Sequence, residues 1–284
     1  MTMIAYGRTL PSDLHPGGRA PTANARAGAA IAAPGVKTRE RARLPQPWSP
    51  IDPNAPVLAE QLARICEKAG LLLDIQLGPQ AWIEAISEQG GWLNPTFDPD
   101  CSDLDESDSG SVVIRDEEGR FLACNAVRLF ETETFSSLIQ SGGLFHRPGH
   151  RNRTALQTIL PEGYDLSGRI SYSGGTLVDP AMRGRRLALL TTRLVRLMGE
   201  RFFRADWHTG TIFHTRTSEL PPKPYGFQRV IPCLDALTIP ERTQRQTLFL
   251  VELSRMEFRR QLADNVARLA ADGRQNLDDL ALLV

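Results

Sequence analysis

Three arginines and a glycine stand together at Arg183-Gly184-Arg185-Arg186, inside the stretch ISYSGGTLVDPAMRGRRLALL from Ile170 to Leu190. Guanidinium groups present forks of N–H donors that match phosphate oxygens. A glycine lets the backbone itself come close to a ligand. Just upstream, an apolar-rich run containing Leu177 and Val178 stops at Asp179-Pro180, and an amphipathic helical pattern begins at Arg185. Strand, tight basic loop and helix start together make an anion cradle, because the first N–H groups of a helix have no partner within it and the helix dipole adds positive charge there. A corner with a solvated arginine cluster would use the same residues, so the flanking elements carry the decision.

Those elements are legible from pattern. Apolar residues at Val57, Leu58, Leu62, Ile65 and Cys66 predict a helix over 56–68, Leu71 to Leu77 a short strand, and Trp82, Ile83 and Ile86 a helix over 80–87. Ser111 to Arg115 and Arg120 to Phe130 are β-rich and joined by Asp116-Glu117-Glu118-Gly119, the signature of a hairpin. A short helix is expected over 134–139, and a Gly- and Pro-rich loop over 141–167 covers or lines a site. The strand ahead of the cradle runs from Gly168 to Val178. The helix after it carries Leu187, Leu190, Leu194, Leu197 and Met198 on one face, with Gly199 weakening its last turn. Strands follow at 206–214, 227–231 and 247–253, then a helix over 255–269. The strand–helix–strand unit around the cradle predicts a right-handed parallel crossover.

Composition narrows the classes. With 284 residues, 41% hydrophobic content and zero formal net charge, the chain can bury a substantial core, and no global field favours nucleic acid or a membrane surface. Cys66, Cys101, Cys124 and Cys233 are scattered without metal-ligand spacing, so no metal is expected and a reducing, cytoplasmic setting is the simplest reading. Residues 1–55 hold Asp13, Glu40 and Asp52 as their only acids against seven basic residues and show no apolar period, which predicts a disordered basic tail. The domain is expected over 56–272, and a fraying tail over 273–284.

The stretch resembles the acyl-CoA binding signature of the GNAT superfamily of N-acetyltransferases. That signature has an Arg or Gln, two variable residues, Gly, one variable residue, then Gly or Ala, after a strand with Val two residues before Pro. Arg183 fills the first position and Ala188 the last, with Val178 and Pro180 at the strand end; Arg186 replaces the inner Gly. Tyr225-Gly226-Phe227 matches a Gly-Phe that the family places after its next helix, here 42 residues beyond Gly184. The resemblance covers Leu71 to Leu253. It implies an α/β fold with a mixed, mostly antiparallel central sheet flanked by helices, of the acyl-CoA N-acyltransferase type. It also implies acetyl-CoA as co-substrate and direct attack by a primary amine in a ternary complex. Where the family splays two parallel strands apart, the resemblance assigns pantetheine and carbonyl contacts to the backbone of Leu177 and Val178. It assigns the pyrophosphate to Arg183, Gly184, Arg185, Arg186, Leu187 and Ala188.

The acid and base are less determined. Pro222 stands where family members often carry a Tyr that protonates the thiolate, and Pro221, Pro222 and Pro224 should break the expected helix, which leaves Tyr225 as the nearest phenol. The signature strand holds no Glu, so Glu131, Glu133, His208 and His214 are the candidate bases. Six carboxylates between Asp98 and Asp108 would attract a cationic acceptor, or form a solvated loop. Two rival functions stay open: an acyltransferase with a longer acyl donor, and a degenerate domain that binds CoA or a protein partner without catalysis. A homodimer is also left open.

Overall fold

The computed structural model describes residues 52–153, 155–213, 225–237, 246–271 and 276–283. The expected basic tail therefore lies almost wholly outside the described residues, as do His214, Pro221, Pro222 and Pro224. Among the described residues the elements are α1 (Asn54–Lys68), β1 (Leu71–Leu77), α2 (Gln80–Glu88), β2 (Ser109–Asp116), β3 (Phe121–Thr132), α3 (Phe135–Gln140), β4 (Gly168–Val178), α4 (Leu187–Arg201), β5 (Trp207–Phe213), β6 (Arg229–Leu237), β7 (Gln246–Ser254) and α5 (Arg255–Ala271). They form one mixed seven-stranded sheet, ordered β1-β2-β3-β4-β5-β7-β6. Every pairing is antiparallel except β4 with β5. That parallel pair is the crossover that α4 makes, as the sequence pattern requires.

The sheet has an apolar core on each face. One lies under α1, α4 and α5, with Leu62, Ile65, Leu190, Leu194 and Leu262 among its fully buried residues. The other lies under α2 and α3, with Trp82, Phe97, Phe135, Ile170 and Tyr172. α4 departs from its pattern: an amphipathic helix should show one polar face to water, yet Arg193, Arg196 and Glu200 are buried too. The reason is that α1, α5 and residues 276–283 cover its outer side. Leu280 and Leu283 pack into the first core, so this segment is docked where sequence alone suggested fraying. Arg193 donates to the Leu283 carbonyl at 2.9 Å, the Arg196 guanidinium lies 4.1 Å over the Phe227 ring, and Glu200 accepts from Arg259 at 2.8 Å. Buried charges persist only with such partners. Gly199 is where α4 touches the sheet, since a Cβ there would meet the Ser171 hydroxyl at 2.5 Å. The helix runs on through it to Arg201.

Candidate functional site

β4 changes character halfway. Ile170 to Ser173 pair with β3 on one edge and with Trp207 to Gly210 of β5 on the other. Beyond Ser173 and Gly210 the β4–β5 pairing stops. Gly174 to Val178 continue beside β3 alone, while Thr211 to Phe213 continue beside β7 alone. The two strands thus open as a wedge whose vertex is the Ser173–Gly210 pair. The backbone in it is half-buried rather than sealed in the core. An open edge of unpaired N–H and C=O groups inside a sheet is a ready-made partner for an amide-rich ligand.

A β-bulge shapes the free edge. Between the pairs Ala126↔Gly174 and Cys124↔Leu177, β4 uses one residue more than β3. Gly175 takes φ +64 there, and a Cβ on it would meet the Trp82 ring at 2.5 Å. The Trp82 indole N–H donates to the Gly175 carbonyl at 2.8 Å, so α2 clamps the bulge from the second core. The Leu177 backbone hydrogen-bonds the Cys124 thiol on the β3 side, and the Asp179 N–H donates to the Leu122 carbonyl at 2.9 Å. Alternation along a strand then turns the Val178 N–H the other way, into the wedge. Of the two residues expected to supply the carbonyl contact, Val178 presents its amide to the opening, whereas Leu177 contributes a side chain packed against the second core.

The wedge opens onto the basic loop. Asp179 caps a 3-10 turn at Pro180–Met182 by accepting from the Ala181 N–H at 2.7 Å. The N–H groups of Arg183 and Arg185 donate back into this turn, at 3.4 and 3.2 Å. Those of Gly184, Arg186, Leu187 and Ala188 have no backbone acceptor among the described residues. Gly184 has φ +83 and Arg186 φ 64, so the loop curls its amides around a concave point at the start of α4. The side chains of Arg183, Arg185 and Arg186 are exposed around it. The departure at Arg186 now has a conformational meaning. The position requires the left-handed backbone that glycine adopts freely, and a non-glycine residue there costs about 1–3 kcal/mol.

The three expected catalytic residues fall in different places. Tyr225 packs half-buried against the first core; burial raises the pKa of its phenol, while Arg193 and Arg186 of the α4 region pull it back down. It therefore lies on the cradle side of the sheet. Glu131 is a correction: it pairs across the sheet with Arg169 and forms an ion pair with that side chain. That puts it about 16 Å along the strand from the wedge, at ~3.3 Å per residue over the five residues from Arg169 to Gly174. His208 is a second correction. It pairs with Ser171 below the vertex and faces the first core, with its ring 4.4 Å from that of Phe258. Burial, with Arg196 and Arg255 adding repulsion, lowers its pKa to about 3. A fully buried, neutral imidazole is a core residue.

The acidic segment is largely engaged locally. Asp105 accepts from Ser107 at 2.6 Å, Asp108 lies 3.6 Å from Arg128, and Asp103 lies 3.4 Å from Arg147. On the second-core face, Tyr164 and Arg229 line a cleft of about 560 Å³ together with Glu162 and Asp165. The Tyr164 hydroxyl donates to the buried Glu252, which also pairs with Arg229. Sequence reading missed Trp82, Gly175 and Glu252. The adjacent glycines in a strand were the available signal for a bulge.

No family profile matches the sequence, and no curated protein matches it. Solved structures of similar backbone include NAA60 of Arabidopsis thaliana in complex with acetyl-CoA, at 11% identity and a TM-score of 0.40, covering 64% of this chain and 99% of that one. A GCN5-related N-acetyltransferase from Brucella melitensis follows at 12% identity and 0.36, covering 75% and 91%. An acetyltransferase of the GNAT family from Streptococcus pneumoniae stands at 8% and 0.36, covering 65% and 99%. Likenesses of that size carry no argument about chemistry. In element order, mixed sheet and parallel wedge, the fold agrees with the arrangement that the sequence resemblance implies. Among the described residues, no helix is long and apolar enough to cross a membrane.

Proposed function

We propose that the chain is an acyl-CoA-dependent N-acyltransferase that moves an acetyl group from acetyl-CoA to a primary amine. The observation that carries this reading is the continuity of an open β4 edge, Gly174 to Val178, with the curled basic loop at 183–188. An elongated donor with a phosphorylated end fits that pair of features. The pyrophosphate sits on the amides of Gly184, Arg186, Leu187 and Ala188, with Arg183, Arg185 and Arg186 around it. The pantetheine arm lies along the free edge of β4. A free N–H of the β4 edge near Leu177 and Val178 polarises the thioester carbonyl, so the negative charge that builds on oxygen meets a fixed donor. The amine attacks the carbonyl carbon; the tetrahedral adduct collapses, the C–S bond breaks and the amide forms. The amine loses its proton to a base through water, and the departing thiolate takes one from Tyr225.

α4 and the cradle occupy the first-core side, so the acceptor approaches from the second-core side. The cleft beside Tyr164, Glu162 and Asp165 is open there and suits a cationic amine. Calorimetry tests the donor half: acetyl-CoA should bind the full chain with one-to-one stoichiometry. Arg183→Ala should weaken it about tenfold, the ~1.4 kcal/mol expected for a charge-assisted contact. Unchanged affinity would remove Arg183 from the site. A thiol-release assay against a panel of amines tests the acceptor half. Binding without turnover on any amine would favour the non-catalytic reading, for which the prolines at 221, 222 and 224 speak.

A further inference from the structure

Two buried side chains hold the backbone of Tyr225-Gly226-Phe227. The Tyr225 carbonyl accepts from the Arg196 guanidinium of α4, and the same guanidinium lies 4.1 Å over the Phe227 ring. The Gly226 carbonyl accepts from the Gln261 side-chain amide of α5 at 2.9 Å. Gly226 takes φ +72, so the chain bends sharply between the two held carbonyls. Arg196 is 2% exposed and Gln261 8%, which keeps water from competing for either bond. A buried cation keeps its place only where its N–H groups and its charge find partners. A carbonyl at the edge of the plane and a ring face beneath it suit a planar guanidinium, and no shorter or apolar side chain offers both.

The side chain of Tyr225 takes its direction from the same helix. The positive charges of Arg193 and Arg186 both reach its phenol. Arg193 stands one turn ahead of Arg196 on α4, and Arg186 is the N-cap, at the cradle. From Arg196 to Arg186 the helix spans about 15 Å at ~1.5 Å per residue, and long helical side chains lean toward the N-terminus. Tyr225 is thus anchored by its carbonyl at the far arginine, while its hydroxyl faces the two nearer the cradle. We propose that Arg196 is a positioning residue for Tyr225: by fixing the backbone of the 225–227 segment it keeps the phenol at the donor sulfur. The inference rests on the acyl-CoA reading above and gives a part to a buried arginine that the mechanism leaves unused. Without that hold the segment can pivot at Gly226, whose backbone has no side chain to resist rotation.

Calorimetric titration of the full chain with CoA and with acetyl-CoA tests it. The readout is the ratio of CoA to acetyl-CoA affinity. A phenol at the sulfur bonds the free thiol better than the thioester, whereas a general loss of structure weakens both alike. Tyr225→Phe should lower the ratio about fivefold, the size of one hydrogen bond. Arg196→Met keeps the bulk and loses the donor; it should lower the ratio to the same level, and the double variant should fall no further. Arg196→Lys keeps a donor and a cation over Phe227 and should stay close to the wild type. Gln261→Leu releases the neighbouring carbonyl and should move the ratio the same way by about twofold, which serves where Arg196→Met fails to fold. A wild-type ratio in Arg196→Met, or in Gln261→Leu in its stead, overturns the positioning role and leaves Tyr225 and the acyl-CoA reading in place. So do single effects that multiply in the double variant. An unchanged ratio in Tyr225→Phe removes the phenol from the sulfur, and the part of Arg196 with it. Failure of both CoA species to bind the wild type overturns the acyl-CoA reading itself.

Discussion

From Ile170 to Ser173, β4 is paired on both edges, and Ile170 to Tyr172 are buried; from Gly174 to Val178 the same strand has one partner, a bulge and a half-open edge. The first half does what a central strand does. Its residues Ser171 and, on β5, His208 sit buried beneath Gly199 of α4. The second half gives up pairing, and its irregular shape needs outside support, which comes from Trp82 at the bulge. The contrast teaches where a ligand site can be made in a sheet: at a break in pairing whose geometry is fixed by residues that never touch the ligand.

The sharpest way to break the contrast is at the bulge. Gly175→Val would place a β-branched side chain at φ +64 and into the Trp82 ring. Backbone strain and overpacking together should destabilise the fold by about 4 kcal/mol in urea denaturation. Stability near that of the wild type would mean the bulge can relax, and with it the wedge.

The paired half is tested by acid. His208 has a pKa lowered from 6.5 to about 3 in the folded chain, mainly by burial. The unfolded chain therefore binds the extra proton first. Stability is fully present above pH 6.5 and falls as pH drops through the window down to about 3. At pH 4.5 the loss from this group should reach about 3 kcal/mol, and a His208→Asn variant should lack that part of the slope. Parallel pH profiles for the two proteins would show that His208 is hydrated.

Smaller effects refine the picture. Trp82→Phe leaves the Gly175 carbonyl without its donor and should reduce stability by about 2 kcal/mol, with acetyl-CoA affinity falling as well. A loss of stability with affinity intact would separate the clamp from the site. Arg186→Gly should raise stability by about 0.5–1 kcal/mol, since release from the left-handed backbone outweighs the entropy of a new glycine. The same change should weaken acetyl-CoA through the lost guanidinium. No gain in stability would mean that Arg186 is held by contacts that offset its strain.

Much of the frame was readable in advance. β1 and β4 lie where apolar pattern and turn residues put them, and the hairpin of β2 and β3 is wider by only a few residues. These elements depend on local periodicity, which a single sequence carries. The basic loop was readable too, because its chemistry lies in consecutive residues. The full burial of α4 was not, since it depends on α1, α5 and residues 276–283 arriving from distant parts of the chain. The candidate bases misled for a similar reason. Glu131 and His208 have the right side chains, but register and facing place one at the far end of the sheet and the other inside it. The clamp of Trp82 on Gly175 spans 93 residues and leaves no mark beyond a pair of glycines.

Hydrogen exchange on the full chain, read by mass spectrometry with and without acetyl-CoA, tests the central claim most directly. Amides of the paired half, Ile170 to Ser173, should exchange slowly in both conditions. Those of Gly174 to Val178 and of the loop at 183–188 should exchange faster in the free protein and become protected when acetyl-CoA is added. Protection that appears elsewhere, or a free edge of β4 that exchanges at the same rate with and without acetyl-CoA, would contradict the assignment of the wedge as the donor site.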